Sequence, residues 1–166
     1  MIALPSKNKS SVPFFSFKIN EKLEKKIKEY ISTKKEVEIS GGLIGDIKGG
    51  KKNNIIFDVK DFLPFPNLAQ DQQNFSKPPN FWFEILEEWR VFSYKSYKFL
   101  GFLHTHPQST SKFSEQDEKF ANSLKEKYGS VIFIIIGENK NLRCYLFKDN
   151  RVQLIPGITF KYKLIK

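Results

Sequence analysis

"GFLHTHPQSTSKFSEQD", residues 101–117, holds both histidines of a chain of 166 residues. Residues 97–106, "YKFLGFLHTH", read as a strand that carries His104 and His106 at its end. Side chains alternate across a strand, so the two imidazoles leave the same face while Thr105 points the other way. Pro107 has no backbone N–H to give to a ladder, so the chain turns out of the sheet there. The turn "QSTSKF" then brings Ser114 and Asp117 to the start of a helix. Two ring nitrogens and a carboxylate oxygen make a three-ligand set that leaves a fourth tetrahedral position open to water, which is the pattern of a catalytic metal site. Each part also has a plainer reading. Ser114 with Asp117 three residues on resembles a capping box, and a histidine on an apolar strand is often a satisfied core residue.

Outward from this stretch the elements alternate. "FFSFKI" (14–19) reads as a strand, and Asn20 is a fitting N-cap for a helix with Leu23, Ile27 and Ile31 on one face. "VEISGGLIG" (37–45) and "NIIFDVKDFLPF" (54–65) read as a strand pair joined through the Gly-Gly turn chemistry of "DIKGGKKN". Residues 64–81 are polar and proline-bearing, hence a loop or insertion. A helix follows over about residues 80–92, with Phe83, Leu86 and Trp89 or Arg90 at helical spacing. After the histidine strand come a helix from Ser114 to about Tyr128 and two strands, "SVIFIIIG" and "NLRCYLFK". The expected class is α/β or α+β, one sheet with helices packed on it, in a single domain spanning residues 1–166 with its core at about 14–150.

Composition removes several alternatives. Cys144 is the only cysteine, so no intramolecular disulfide can form. The longest apolar run, Val131–Ile136, is far short of the ~20 residues that cross a bilayer, and "MIALPSKNKSSVP" has no apolar stretch of signal-peptide length, so the expectation is a soluble, cytoplasmic protein. A net charge of +10 is the ordinary footprint of a nucleic-acid binder. Here, however, the excess is lysine, with arginine only at Arg90, Arg143 and Arg151, in a chain rich in Asn, Ile and Phe. That composition fits an A/T-biased coding sequence, and in "EKLEKKIKEY" the lysines alternate with glutamates as on a solvated helix face. Nucleic acid is therefore not the expected partner, and no membrane partner is expected.

His-x-His-Pro, six residues, then Ser-x-x-Asp resembles the metalloprotease motif of the JAB/MPN (JAMM) family, and the match runs unbroken from His104 through Asp117. The family also has a glutamate seven residues before a glycine in a short apolar strand. "EISGGLIG" places Glu38 there, before Gly45, with Glu36 the competing candidate.

The resemblance implies a JAB/MPN-like, cytidine-deaminase-like mixed sheet flanked by helices. It implies one Zn²⁺ held by His104, His106 and Asp117, with Glu38 as the proton acceptor and donor and Ser114 as a hydrogen-bond donor to the oxyanion. The implied reaction is hydrolysis of an amide or isopeptide bond after the C-terminal glycine of a ubiquitin-like protein or its conjugates. Prokaryotic members work beside E1-like and E2-like enzymes, some of them in antiphage defence, and the single compact domain looks like such a bacterial member. Residues 64–81 occupy the place of the insertion with which family members grip a ubiquitin-like tail.

Two rivals are a non-catalytic MPN scaffold, against which the complete motif speaks, and a RadC-like nucleic-acid-associated relative, whose motif continues Pro-Ser-Gly. Here Gln108 and Ser109 follow Pro107. Mid-strand in "LRCYLF", Cys144 reads as a core residue and not as a nucleophile.

Overall fold

A computed structural model describes residues 14–32, 37–49, 54–67, 80–93, 96–138 and 141–155. Ten elements follow in the order β1 (Phe14–Ile19), α1 (Glu21–Ser32), β2 (Ser40–Gly49), β3 (Asn54–Phe65), α2 (Asn80–Ser93), β4 (Lys98–His106), α3 (Glu115–Tyr128), β5 (Val131–Gly137), β6 (Leu142–Lys148) and β7 (Arg151–Ile155). The strands form one mixed sheet in the order β1-β3-β2-β4-β5-β6-β7. The β1/β3 and β4/β5 pairs are parallel and the remaining neighbours antiparallel.

Each face of the sheet carries its own core. Leu23 and Ile27 of α1 pack with Phe57, Val59, Leu43, Leu103, Ile132 and Ile134 on one side. Phe83 and Leu86 of α2 and Phe120, Ala121 and Leu124 of α3 pack with Ile44, Phe102, Phe133 and Ile135 on the other. β5 is buried along its whole length, as a strand covered on both faces must be, which is why its sequence is an apolar run without alternation.

Helix ends follow their side chains. Asn20 Oδ1 accepts from the Leu23 N–H at 2.8 Å, capping α1 as its position in the sequence predicts. α3 begins at Ser114 with a complete capping box: the Ser114 hydroxyl accepts from the Asp117 N–H, and the Asp117 carboxylate accepts from the Ser114 N–H.

The alternation that places the histidines is reset inside β4. Opposite β2, Leu43 faces Gly101 but Ile44 faces Phe99, so Leu100 has no opposite number and β4 carries a bulge. Phe99 and Phe102 consequently lie on the same face, the one covered by α2 and α3, although three residues apart in a strand would put them on opposite faces. From Phe102 onward the alternation sends His104 and His106 to that face and Leu103 to the other. Gly101 makes the bulge possible. Its φ is +153°, and a β-carbon there would stand 1.8 Å from the Ile132 carbonyl oxygen.

Two boundaries differ from the sequence-based expectation. β2 begins at Ser40, not at residue 37, and runs on to Gly49 through part of the expected turn. The strand β7 is not expected from the sequence; it returns from β6 through Asp149 and Asn150, both with positive φ (50° and 59°), a two-residue hairpin turn that Asn-Gly more often signals. Of the expected loop 64–81, residues 64–65 belong to β3 and 80–81 to α2, while residues 68–79 lie outside the described residues.

Gly101→Ala tests the bulge. The combination of strained φ and backbone clash should cost about 3 kcal/mol or more, read as a fall in the denaturation midpoint. Ordinary stability in this variant would show that β4 can thread the sheet without the bulge.

Candidate metal centre

β4 delivers two imidazoles at the edge of the core on the α3 side. His104 is buried, its ring edge-on to Phe133 at 6.3 Å, and His106 is partly exposed. Their Nε2 atoms are 3.0 Å apart. The other ring nitrogen of His106, Nδ1, lies 2.9 Å from the Thr110 carbonyl oxygen. A carbonyl only accepts, so Nδ1 carries the hydrogen, and in the neutral ring Nε2 presents its lone pair to the site. Burial and the neighbouring His104 hold the His106 pKa below its ordinary value, against the opposing pull of Thr110 and Asp117. The neutral form is the ligand form.

α3 supplies the carboxylate. Its buried residues Asp117, Phe120, Ala121 and Leu124 fall at the helix's inward positions, so Asp117 is aimed at the sheet by the same stripe that packs the core. Its Oδ1 is 2.9 Å from His104 Nε2, and Oδ2 is 3.8 Å from His106 Nε2. Ser114 orients it, because both the Ser114 N–H and the Ser114 hydroxyl donate to Oδ2, each at 2.7 Å. Burial works to raise the Asp117 pKa, but the His104 ring and the two Ser114 bonds outweigh it and hold the carboxyl at about 2. A carboxyl depressed on folding stabilises the fold above its unfolded value, and that contribution is lost as pH falls below about 4 toward 2. The single proton of the Ser114 hydroxyl points to Asp117, so donation to a substrate oxyanion requires that hydroxyl to turn.

Glu38 enters from the segment preceding β2. It is 5% exposed, and a carboxylate oxygen of Glu38 and one ring nitrogen each of His104 and His106 all lie within 4.8 Å of one another. The structure thus brings together all five residues marked by the motif. Glu36, the rival candidate, lies outside the described residues. Cys144 is buried 1% exposed in the α1-side core, its thiol pKa raised by burial, as a core residue's should be.

The loop that carries Thr110 is bolted down by residues without a motif. The Tyr145 hydroxyl donates to the Ser111 carbonyl at 2.9 Å, and the Glu138 N–H donates to the Ser109 carbonyl at 2.8 Å. The Ser111 backbone lies so close over Gly137 that a β-carbon there would meet its nitrogen at 2.6 Å. Phe113 seals the underside against Phe133 and Tyr145. Sequence reading missed Thr110, Tyr145 and Gly137. A backbone carbonyl leaves no trace in residue type, and the signal for Tyr145 is a hydroxyl within the buried Cys144–Phe147 run of β6.

The donor set fits a borderline transition ion such as Zn²⁺. Imidazole nitrogens and carboxylate oxygens suit that ion, and the bonds that His106 makes with the Thr110 carbonyl and Asp117 makes with Ser114 orient ligands in the manner such sites use. Tyr145→Phe should therefore weaken metal affinity on the order of 10-fold while leaving the fold intact, because the loop that presents the Thr110 carbonyl loses its anchor at Ser111. Metal competition against a chromophoric chelator measures this, and unchanged affinity would remove the loop from the site's support.

The chain matches the family model described as prokaryotic homologs of the JAB domain over residues 21–148. No curated protein matches it. Among solved structures it is similar to the solution structure of protein DSY2949 from Desulfitobacterium hafniense, with a TM-score of 0.61 and 20% identity over 85% of this chain and 89% of that one. That likeness is one of fold. With the family model spanning α1 through β6, the chain belongs to the prokaryotic JAB family.

Proposed function

We propose that the protein is a zinc-dependent isopeptidase or peptidase of JAMM type, cleaving after the C-terminal glycine of a ubiquitin-like protein or its conjugates. The observation that carries this reading is the convergence of Glu38, His104 and His106 within 4.8 Å, with Asp117 bonded to His104 beside them. The family membership supports the reaction class.

His104, His106 and Asp117 would hold the ion, since Asp117 Oδ1 lies 2.9 Å from His104 Nε2 while Oδ2, 3.8 Å from His106 Nε2, is taken by Ser114. When bound, Zn²⁺ would polarise the scissile carbonyl and acidify a water molecule to a pKa of about 7. Glu38 is left to move the proton: its carboxylate receives one as water adds to the carbonyl and returns it to the departing amine. Its burial beside the two imidazoles places the carboxylate where it can reach a water held there. The partners consistent with this chemistry are a ubiquitin-like protein and, by family association, E1-like and E2-like enzymes. A nucleic-acid role draws little support from the described lysines. Lys48 pairs with Asp58 at 2.6 Å and lies 3.8 Å from Asp46, and Lys60 pairs with Asp58 at 2.8 Å, so part of the charge is consumed locally. Lys51 and Lys52 lie outside the described residues.

The test is direct. Protein expressed with added zinc should carry about one ion per chain. His104→Ala and Asp117→Ala should lose metal and hydrolysis together. Glu38→Gln should keep the metal and drop turnover on the order of 10²–10⁴-fold. If Glu38→Gln instead loses zinc while Asp117→Asn keeps it, Glu38 is the third ligand and the roles exchange. Incubation with the ubiquitin-like proteins encoded near its gene reads the substrate, and replacing the substrate's terminal glycine by a bulky residue should abolish cleavage. Efficient hydrolysis of that altered substrate would sink the glycine specificity, and no hydrolysis by zinc-loaded protein would sink the activity.

A further inference from the structure

β2 begins at Ser40, opposite His104, so the ladder ends one residue pair short of where it could continue. At the next pair the Thr105 N–H donates to the Ile39 carbonyl at 3.0 Å, as an antiparallel ladder requires. The return bond is different. The Ile39 N–H goes to the Thr105 side-chain hydroxyl, Oγ1, also at 3.0 Å. A hydroxyl oxygen has taken the place of a main-chain acceptor, and the chain on the N-terminal side of Ile39 is released from strand geometry at that bond. Glu38 is the residue so released. A second bond reaches the same segment from β3's C-terminal extension, where Asn67 Nδ2 donates to the Glu38 carbonyl at 3.0 Å. Ile39 is 2% exposed and Thr105 7%, so the bond between them does not compete with bulk water.

We infer that Thr105 is a positioning residue, which with Asn67 clamps the Glu38–Ile39 peptide group by its N–H and its carbonyl and so sets the Glu38 carboxylate against the histidine pair. The inference rests on the isopeptidase reading for its catalytic consequence but not for its geometry. Thr105 sits between the two histidines in the chain, so one strand segment fixes His104 and His106 by its alternation and Glu38 by the intervening side chain. Valine is its closest isostere and lacks the acceptor, leaving a buried N–H without its partner. Serine retains it.

The experiment uses the full chain and reads the clamp twice without substrate. In hydrogen exchange, the Ile39 amide should exchange on the order of 10-fold faster in Thr105→Val, while Thr105→Ser retains most of the protection. In protein loaded with Co²⁺, Glu38→Gln should alter the visible spectrum. Thr105→Val should alter it in the same direction, Thr105→Ser should not, and the Thr105→Val/Glu38→Gln pair should be non-additive. If Thr105→Val does not fold, Asn67→Ala loosens the same segment and is held to the same spectral criterion. Where hydrolysis is measurable, Thr105→Val should lower kcat on the order of 10–100-fold with metal content unchanged and KM moved little. Unchanged Ile39 exchange, or a Thr105→Val cobalt spectrum that matches the wild type while Glu38→Gln shifts, overturns the inference. Absence of hydrolysis in the wild type with the spectral coupling present overturns the proposed activity and leaves the clamp standing.

Discussion

A β-carbon at position 101 would stand 1.8 Å from the Ile132 carbonyl oxygen, so the backbones of β4 and β5 approach there only because residue 101 has none. That contact sits at a bulge, and the bulge decides which face every later residue of β4 occupies. Upstream of it Phe99 packs under α2 and α3; downstream Phe102, His104 and His106 take the same side. A strand without the slipped residue would put Leu103 and Thr105 beneath α3 and turn both histidines toward α1, away from Asp117. A matching slip occurs across β2 on its other edge, where Ile44 faces Asp61 and Gly45 faces Val59, so Lys60 is skipped. Two bulges flanking one strand add local twist, and the sheet curls about β2.

On that face α3 turns a packing element into part of a site with little change to its design. Phe120, Ala121 and Leu124 bury as an amphipathic helix demands, and Asp117 is the first member of the same stripe. An aspartate at this position would be a liability in a bare core. It is tolerated because the helix start supplies two donors from Ser114 and the strand supplies the His104 ring. The capping reading of Ser114 and Asp117 and the site reading are therefore one arrangement. Capping consumes Oδ2 and leaves Oδ1 facing the His104 ring.

Much of this was legible in the sequence because it depends on local rules. Period-2 alternation at the end of β4, a proline that ends the strand and a capping box from Ser114 to Asp117 are all encoded within residues 101–117, and the histidines, Ser114 and Asp117 meet as that spacing predicts. The bulge at Leu100 was not legible. Simple alternation still puts His104 and His106 on a common face, but which face depends on the opposing strands. β7 escaped because Asp149 and Asn150 adopt positive φ without a glycine to announce it. Thr105, Asn67 and Tyr145 escaped for a different reason. Each acts on a backbone group of a residue 29 or more positions away, a relation that only the folded sheet creates.

Those three residues share a physical logic that the motif residues lack. A motif side chain must have a particular chemistry at the reacting point, whereas a supporting side chain need only satisfy a buried backbone group that the sheet has left over. The peeling of the chain at Ile39 leaves an N–H to be met by Thr105, and the exit of the chain at Pro107 leaves carbonyls at Thr110 and Ser111 to be met by His106 and Tyr145. In both places the irregularity is what aims a functional group, Glu38 in one and the His106 ring in the other. The backbone groups exposed by leaving regular structure thus become the handles by which the site is held rigid. Rigidity of this kind has a direct consequence at a metal centre. Imidazoles and carboxylates that are already oriented lose little conformational freedom when they converge on an ion, so the binding free energy is not spent on ordering the ligands.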